Sequence, residues 1–312
     1  MTPFAFVFPG QGSQSVGMLN AWGDNAAVKQ TLAEASQTLG FDIAALIREG
    51  PKEQLDLTTH TQPVMLTAGV ACYRAWTAET GLQPAAVAGH SLGEYSALVA
   101  AGSLSLADAL PLVRFRAQAM QEAVPVGVGA MAAILGLDAQ TVIATCAEVS
   151  AASREAVEAA NFNDPKQTVI AGSKAGVDAA CEALKTKGAK RVLLLSVSAP
   201  FHSSLMRPAA ERLKERLASV PLAVPKIALV NNIDVAVQTD VTAIRDALYR
   251  QSFGPVRWVE TVKALRARGL THIIECGPGK VLAGLVKRID AELVSASVLD
   301  TASMMDVKAL LA

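Results

Sequence analysis

One short stretch, VAGHSLGEYSALVAAG at residues 87–102, constrains the fold more than any other part of the chain. A short apolar run ends at Ala88, and apolar residues recur at helical spacing from Leu92 onwards. Ser91 lies between the two, with glycines two residues before it and two residues after it. A strand, a sharp turn and a helix in this order hold a serine hydroxyl at the strand end, where little room remains for neighbouring side chains. The pattern predicts that Ser91 is a nucleophile, and the alternative is a serine that only caps a helix.

Strands and helices alternate along most of the chain, which predicts a parallel sheet covered by helices on both faces. Residues 128–197 instead follow the order strand, helix, strand, strand, helix, strand, which is ferredoxin-like. We therefore predict an α/β fold: a hydrolase-like large subdomain with a parallel sheet, residues 1–127 and 198–312, and an inserted ferredoxin-like α+β small subdomain, residues 128–197. Other predicted boundaries include helices over 62–79 and 203–219 and a strand over 191–197.

The composition excludes several classes of partner. The 312 residues are 51% hydrophobic and carry a formal net charge of zero, so no global basic field attracts nucleic acid or a membrane. The four cysteines are scattered without a C-x-x-C pair and predict reduced thiols. The N-terminus lacks the basic region of a signal peptide, and no His/Cys/Asp cluster for a metal is visible. We expect a cytoplasmic monomer without a metal.

Two glycine-rich loops resemble nucleotide-binding motifs but do not satisfy them. GQGSQSVG at 10–17 follows a strand, yet Ser15 occupies the place of the third glycine of a dinucleotide fingerprint. GPGK at 277–280 lacks the spacing and the Ser/Thr of a P-loop. Both loops follow predicted strands, at the sheet edge where open α/β folds bind ligands. Loop 10–14 is therefore expected to place a backbone N–H beside the serine.

A serine nucleophile needs a base within hydrogen-bond reach, and the chain has four histidines. His90 is adjacent to the serine in a tight turn and is expected to point away from it. His272 begins an apolar strand, and His60 lies in a polar helix start. His202, on the loop VSAPFHSSL that returns from the small subdomain, is the predicted base by elimination. The alternative is a loop histidine without a role.

No aspartate stands out as the third member of a triad. Asp234 and Asp240 are possible, but nothing in the sequence points to them. A dyad in which a backbone carbonyl orients His202 is the simpler hypothesis. A helix that begins at residue 203 is expected to help keep the imidazole neutral.

Two arginines on the helix predicted from 105 to 123 are candidate anion ligands. Arg114 and Arg116 flank its apolar stripe on opposite sides. Periodicity does not choose between them, and both could be solvated charges.

Several motifs occur together in one order: FVFPGQGSQ, TQP, GHSLGEYSAL, RFRAQAMQ, PFHSSLM and ECGPGKVL. Through them nearly the whole chain resembles the malonyl-CoA:acyl carrier protein transacylases, the acyltransferases that load malonyl units in bacterial fatty acid synthesis. The motifs are specific jointly, although G-x-S-x-G alone is not. The resemblance implies transfer of malonyl from malonyl-CoA to the phosphopantetheine thiol of acyl carrier protein, through a malonyl-serine and without a cofactor.

The resemblance also implies a role for individual residues. Ser91 is the expected nucleophile and His202 the base. The backbone N–H groups of Gln11 and Leu92 would form the oxyanion hole, and Gln62 would line the acyl pocket. Arg116 would pair with the malonyl carboxylate, and the backbone carbonyl of Gln251 would hold the His202 ring. Phe201 would sterically exclude an α-methyl group. Asn161 and Asn232 match family segments but are not expected to be catalytic.

Two rival functions remain open at this point. A serine thioesterase or esterase on the same scaffold would pass the acyl group to water, and Arg116 disfavours it because a general esterase needs no buried cation. A non-catalytic module that binds the carrier would not need Ser91 and His202. An acidic carrier would need a local basic patch, and KTKGAKR at 185–191 and the helix that carries Lys287 are candidates.

Overall fold

The computed structural model describes residues 2–312, in which nine strands form two sheets. The strands are β1 (Phe4–Phe8), β2 (Ala86–Gly89), β3 (Gly129–Leu135), β4 (Val157–Asp164), β5 (Gln167–Ser173), β6 (Arg191–Leu194), β7 (Ala228–Val230), β8 (His272–Cys276) and β9 (Val294–Val298).

Helices connect and cover these strands in the described part of the chain. They are α1 (Ala26–Leu39), α2 (Ile43–Glu49), α3 (Lys52–Leu55), α4 (Thr58–Thr80), α5 (Gly93–Ala100), α6 (Leu106–Glu122), α7 (Ala139–Ser153), α8 (Lys174–Thr186), α9 (Arg207–Ser219), α10 (Val241–Gln251), α11 (Trp258–Ala267), α12 (Val281–Ile289) and α13 (Thr301–Leu311).

The larger sheet is parallel, with the strand order β7-β2-β1-β8-β9, as predicted from the alternation of strands and helices. All five residues of its central strand, β1, are buried. Since successive side chains of a strand point to opposite faces, β1 contributes to a core on each side of the sheet. Phe6 packs edge-on against Trp76 of α4, with ring centroids 5.4 Å apart. Val7 packs on the other face, in the same cluster as Trp258 of α11. Both faces of the sheet are therefore covered by helices.

The smaller sheet is antiparallel, with the order β4-β5-β3-β6, and belongs to the β-α-β-β-α-β segment predicted to be ferredoxin-like. Helices α7 and α8 cover one face through a core that includes Ile134, Val142 and Val177. Its edge strand β6 ends at Leu194 rather than at residue 197. Beyond that point the Val197 N–H donates to the Leu195 carbonyl in a tight turn, so the chain leaves the sheet.

The chain enters and leaves the small sheet at the same place. A β-carbon on Gly129, the first residue of β3, would lie only 2.4 Å from Cδ of Pro200. This proximity fits the predicted division of the chain at residues 128 and 198, which stays a prediction.

Two predicted helix boundaries differ from the structure. Helix α4 begins at Thr58 rather than at residue 62, and it includes Pro63 although proline cannot donate a hydrogen bond within a helix. The helix predicted from residue 203 is a 3₁₀ turn, Ser204–Met206, followed by α9. Pro208 lies in the first turn of α9, where the missing N–H is tolerated and the fixed φ favours helix initiation.

In residues 2–312 no helix is long and apolar enough to cross a membrane. All four cysteines, Cys72, Cys146, Cys181 and Cys276, are buried as free thiols.

Candidate active site

The predicted strand, turn and helix around Ser91 are present as β2, a turn and α5. Ser91 itself has a φ of 52°, a left-handed conformation that points its side chain away from the helix. A β-carbon on Gly89 would lie 1.9 Å from the Gly93 carbonyl carbon, and one on Gly93 would lie 2.0 Å from the Phe8 carbonyl oxygen. Both glycines are thus required by close backbone contact. Helix α5 has no side-chain cap at its start, so the alternative of Ser91 as a helix cap is wrong.

The loop after β1 packs directly on this turn. A β-carbon on Gly10 would lie 2.5 Å from the His90 carbonyl oxygen and 3.8 Å from the Leu92 backbone nitrogen. In residues 2–312, the backbone N–H groups of Gln11 and Leu92 have no hydrogen-bond acceptor. Two free N–H groups beside a serine hydroxyl can stabilise an oxyanion, which is the role expected of both.

His202 lies beside the serine. Its Nε2 is 2.7 Å from Oγ of Ser91, and its Nδ1 is 2.9 Å from the carbonyl oxygen of Gln251 and 3.1 Å from that of Gly254. Because carbonyl oxygens only accept, Nδ1 carries the hydrogen and Nε2 is free to accept the serine proton. Burial, and then the nearby Arg116 guanidinium, lower the pKa of His202 to about 3, so the imidazole is neutral at neutral pH. These causes differ from the helix start that we expected.

The other three histidines have different hydrogen-bond partners, and none of them bonds to the serine hydroxyl, although His90 lines the same cavity. Nε2 of His90 is 2.8 Å from Oδ1 of Asn163, and Nδ1 of His60 is 3.0 Å from the Gln54 carbonyl oxygen. His272 begins β8 and its Nδ1 is 3.0 Å from the hydroxyl of the preceding threonine.

The two candidate aspartates have other partners. Asp234 forms an ion pair with Arg250 at 2.7 Å, and Asp240 caps α10. Neither orients His202, and the predicted arrangement of a dyad held by a backbone carbonyl fits the geometry.

Arg116 is buried, with 3% of its surface exposed, whereas Arg114 on the same helix is exposed. Its guanidinium donates to three neutral oxygens: Oε1 of Gln62 at 2.8 Å, Oε1 of Gln251 at 3.2 Å and Oγ of Ser91 at 3.3 Å. Its Nε has no acceptor within residues 2–312. A buried cation held by neutral groups can receive an anion, and a carboxylate fits the guanidinium fork.

These side chains line a cavity of about 130 Å³ between the two sheets. Gln62 reaches it from α4, and half-buried Phe201 reaches it from the loop before His202. The small sheet contributes Met131 and Asn161. The structure therefore brings all eight predicted site residues to one place, while their individual roles stay predictions.

Two residues next to the site were given no positioning role from the sequence. Oδ1 of Asn232 accepts the Ser91 N–H at 2.7 Å, and its Nδ2 donates to the Gly89 carbonyl at 2.6 Å. Glu94, buried in the first turn of α5, accepts from the Asn232 N–H at 2.9 Å. No local pattern marks either residue, because their contacts join segments more than 130 residues apart in the chain.

In the described chain, 2–312, no group of three or more His, Cys, Asp or Glu side chains is arranged to hold a metal ion.

A serine and histidine at the carboxyl edge of a parallel α/β sheet, with a buried guanidinium beside the hydroxyl, define an enzyme of serine-dependent acyl chemistry.

Residues 5–304 match the family model of the acyl transferase domain. The chain belongs to this family and is an acyltransferase, and the resemblance inferred from the motifs is confirmed.

Relatives of known name cover the chain almost completely. The malonyl CoA-acyl carrier protein transacylase of Escherichia coli strain K12 is 52% identical over 309 residues, which are 98% of each chain. The acyl-carrier-protein S-malonyltransferase structure from Burkholderia pseudomallei is 66% identical with a TM-score of 0.96, covering 98% of this chain and 99% of that one. A second structure, a malonyl-transacylase in complex with a type II polyketide acyl carrier protein, is 48% identical with a TM-score of 0.95, covering 97% of this chain and 98% of that one.

Proposed function

We propose that the protein transfers a malonyl group from malonyl-CoA to the phosphopantetheine thiol of acyl carrier protein through an ester on Ser91. The observation that carries the proposal is the buried Arg116 guanidinium, 3.3 Å from the Ser91 hydroxyl. An acyl group bound to that hydroxyl and ending in a carboxylate would reach this cation. An acetyl group would leave the guanidinium without an anion in a buried site.

The first half-reaction forms the ester. Oγ of Ser91 bonds to the thioester carbon while His202 Nε2 accepts its proton. The negative oxygen of the tetrahedral intermediate is held by the N–H groups of Gln11 and Leu92, and losing one such donor costs ~3 kcal/mol. The carbon–sulfur bond then breaks, and the proton on His202 passes to the sulfur of coenzyme A.

The second half-reaction repeats these steps in reverse. The carrier thiol gives its proton to His202 as its sulfur bonds to the ester carbon. The bond to Oγ breaks, and the proton returns to the serine oxygen. The pocket needs no further cofactor for this chemistry. A carrier thiol thus takes the place that water would take in a hydrolase.

Intact-mass measurement after mixing the protein with malonyl-CoA tests the proposal. We expect a stable gain of one malonyl group, which is discharged when phosphopantetheinylated carrier protein is added. Rapid conversion of malonyl-CoA to free malonate would instead indicate a thioesterase. A protein that never gains mass would be a binding module.

Phe201 is proposed to limit the size of the acyl group. Phe201→Ser should leave malonyl transfer nearly unchanged and raise transfer of methylmalonyl, because the ring lines the cavity next to the base. Competition between malonyl-CoA and methylmalonyl-CoA measures this ratio. Phe115→Ser is the control, since Phe115 packs against the same apolar cluster but does not line the cavity. An unchanged ratio in Phe201→Ser would show that the ring only packs the loop.

The basic segments suggested for carrier docking come together in the structure. Lys190, Lys166 and Arg288 line one groove together with Asp164, which is paired with Arg288 at 2.7 Å, so Lys190 and Lys166 are its available cations. Lys187 is already paired with Glu148 at 2.6 Å, which makes it the weaker candidate of its segment.

Charge reversal tests the two segments separately, because Lys287 lines a different groove from Lys190. Lys190→Glu and, separately, Lys287→Glu should raise the KM for carrier protein by about threefold or more and weaken its salt dependence, with the KM for malonyl-CoA unchanged. Lys214→Glu on α9 is the matched control for an exposed lysine elsewhere. Unchanged values in both variants would place docking on another surface.

We propose further that the protein is a cytoplasmic monomer in fatty acid biosynthesis. All eight candidate site residues come from one chain, so catalysis needs no second copy. The four free thiols fit a reducing compartment.

A further inference from the structure

Glu94 is a buried carboxylate that the proposed reaction does not use. It lies three residues after Ser91, in the first turn of α5, and only 2% of its surface is exposed. Its Oε2 accepts two hydrogen bonds, from the Asn232 backbone N–H at 2.9 Å and from Nε2 of Gln251 at 3.0 Å. One oxygen thus joins two segments that both contact the catalytic pair.

The bond to Gln251 fixes which way that side-chain amide faces. Nε2 of Gln251 donates to Glu94 and also to the Ser91 carbonyl oxygen at 3.1 Å. With two acceptors around the nitrogen, Oε1 must face the other way, where it accepts from Arg116 at 3.2 Å. Without Glu94 the amide could rotate and direct its NH₂ group at the guanidinium.

The bond to Asn232 supports the turn that carries the nucleophile. Asn232 accepts the Ser91 N–H and donates to the Gly89 carbonyl, so it spans the turn from strand to helix. Glu94 holds the backbone of Asn232 in place. The backbone carbonyl of Gln251 meanwhile holds the ring of His202.

We infer that Glu94 is a positioning residue for acyl transfer, which holds Gln251 and Asn232 in place and, through the bridging Gln251 amide, offsets part of the charge of Arg116. The inference rests on the proposed function. Glu94 does not contact Ser91 Oγ or the His202 ring, so it acts through its neighbours. Its negative charge favours the charged state of Arg116, and Arg116 in turn makes His202 a weaker base.

Protonation of Glu94 gives this role a measurable signature. Burial raises the pKa of Glu94 to about 7. The hydrogen bonds from Gln251 and Asn232 and the charge of Arg116 on α6 act in the opposite direction, and the charge of Asp234, after β7, adds to the rise. Below pH 7 the carboxyl becomes neutral, Arg116 loses its counter-charge and His202 becomes a weaker base. The pKa of His202 lies near 3, so its own titration cannot produce a change near pH 7.

Glu94→Gln separates charge from hydrogen bonding, because the amide oxygen can still accept both bonds. The test measures the rate of malonyl-Ser91 formation between pH 5.5 and 9, by rapid quench and intact mass. The pH dependence of kcat/KM reports the pKa values of groups in the free enzyme. We expect the wild-type rate to rise with pH through about 7. Glu94→Gln should be about threefold to tenfold slower at pH 8, which corresponds to lowering the pKa of the His202 base by up to about one unit. It should lack the rise near pH 7, and its KM for malonyl-CoA should not increase.

Glu275→Gln is the matched control. Glu275 of β8 is also fully buried, also accepts a backbone N–H, from Ala283 at 2.8 Å, and its pKa is also raised by burial to about 7. Its hydrogen-bond partners are backbone N–H groups at the start of α12, and none of them contacts Ser91, His202 or Arg116, so its variant should keep the wild-type profile. Glu94→Asp retains a carboxylate on a shorter side chain. Its rate of malonyl-Ser91 formation should be lower than that of the wild type but should still rise with pH.

The outcomes are distinct. A Glu94→Gln profile and rate equal to the wild type would overturn the inference alone, as would loss of the rise in Glu94→Asp or in Glu275→Gln. Absence of any malonyl ester in the wild type would overturn the proposed function and this inference with it. A merely structural role would slow Glu94→Gln by the same factor at every pH and leave the rise near pH 7 in place, which would also overturn the inference.

Discussion

Replacement of Ser91 with alanine should abolish formation of the malonyl-enzyme, because the variant lacks the oxygen that carries the acyl group. The fold should persist. Alanine has the same β-carbon as serine at the φ of 52°, and the Ser91 N–H bond to Asn232 involves only the backbone of residue 91. Intact mass or radioactive malonyl-CoA measures the ester, and thermal denaturation checks the fold.

Ser96→Ala provides the control, since Ser96 is a buried serine in α5, the helix that follows Ser91. It should be labelled like the wild type. Persistent labelling of Ser91→Ala would place the acyl group on another residue and refute the assignment of the nucleophile.

Arg116→Ala should reduce malonyl transfer by about 3–5 kcal/mol of transition-state binding, the usual effect of removing one partner from a buried charge pair. That is a loss of more than ~100-fold in kcat/KM. Acetyl transfer should fall little or rise, since an acetyl group has no carboxylate that the buried guanidinium could bind. Steady-state rates with malonyl-CoA and acetyl-CoA give the ratio.

Arg114→Ala is the matched control, two residues away on the same helix but exposed. Its ratio of malonyl to acetyl transfer should equal that of the wild type. If Arg116→Ala loses both activities equally, the arginine is structural and another group must recognise the carboxylate.

The contrast between these two arginines shows how far the sequence alone can predict a site. Helical periodicity places both residues beside the apolar stripe of α6, but it carries no information on what packs against each flank. Arg116 is buried because Gln62 of α4 and Gln251 of α10 accept its hydrogen bonds. The family resemblance chose Arg116, and the structure places its guanidinium 3.3 Å from the Ser91 hydroxyl, while its role stays a prediction.

Features encoded within a few residues were predicted well. The turn at Ser91 follows from two glycines whose β-carbons would collide with backbone, and the parallel sheet follows from the alternation of strands and helices. The predicted length of β6 was wrong, because the apolar run RVLLLSV continues after the chain has turned out of the sheet. An apolar run marks extended chain near a core, and it does not mark where pairing ends.

Glu94 illustrates the part that could not be predicted. An acidic residue in the first turn of a helix is ordinary, since it suits the helix dipole. Its partners are Asn232, which follows β7, and Gln251 at the end of α10, both more than 130 residues away. Only the folded chain brings these three side chains together.

The buried thiols have a consequence for an enzyme whose two substrates present sulfur at its active site. Burial raises the pKa of Cys72 and of Cys146 to about 12, and it also raises the pKa of Cys181 and of Cys276. Thiolates, rather than thiols, attack thioesters and disulfides. Buried thiols that stay protonated should therefore neither compete with Ser91 for the malonyl group nor form mixed disulfides with coenzyme A.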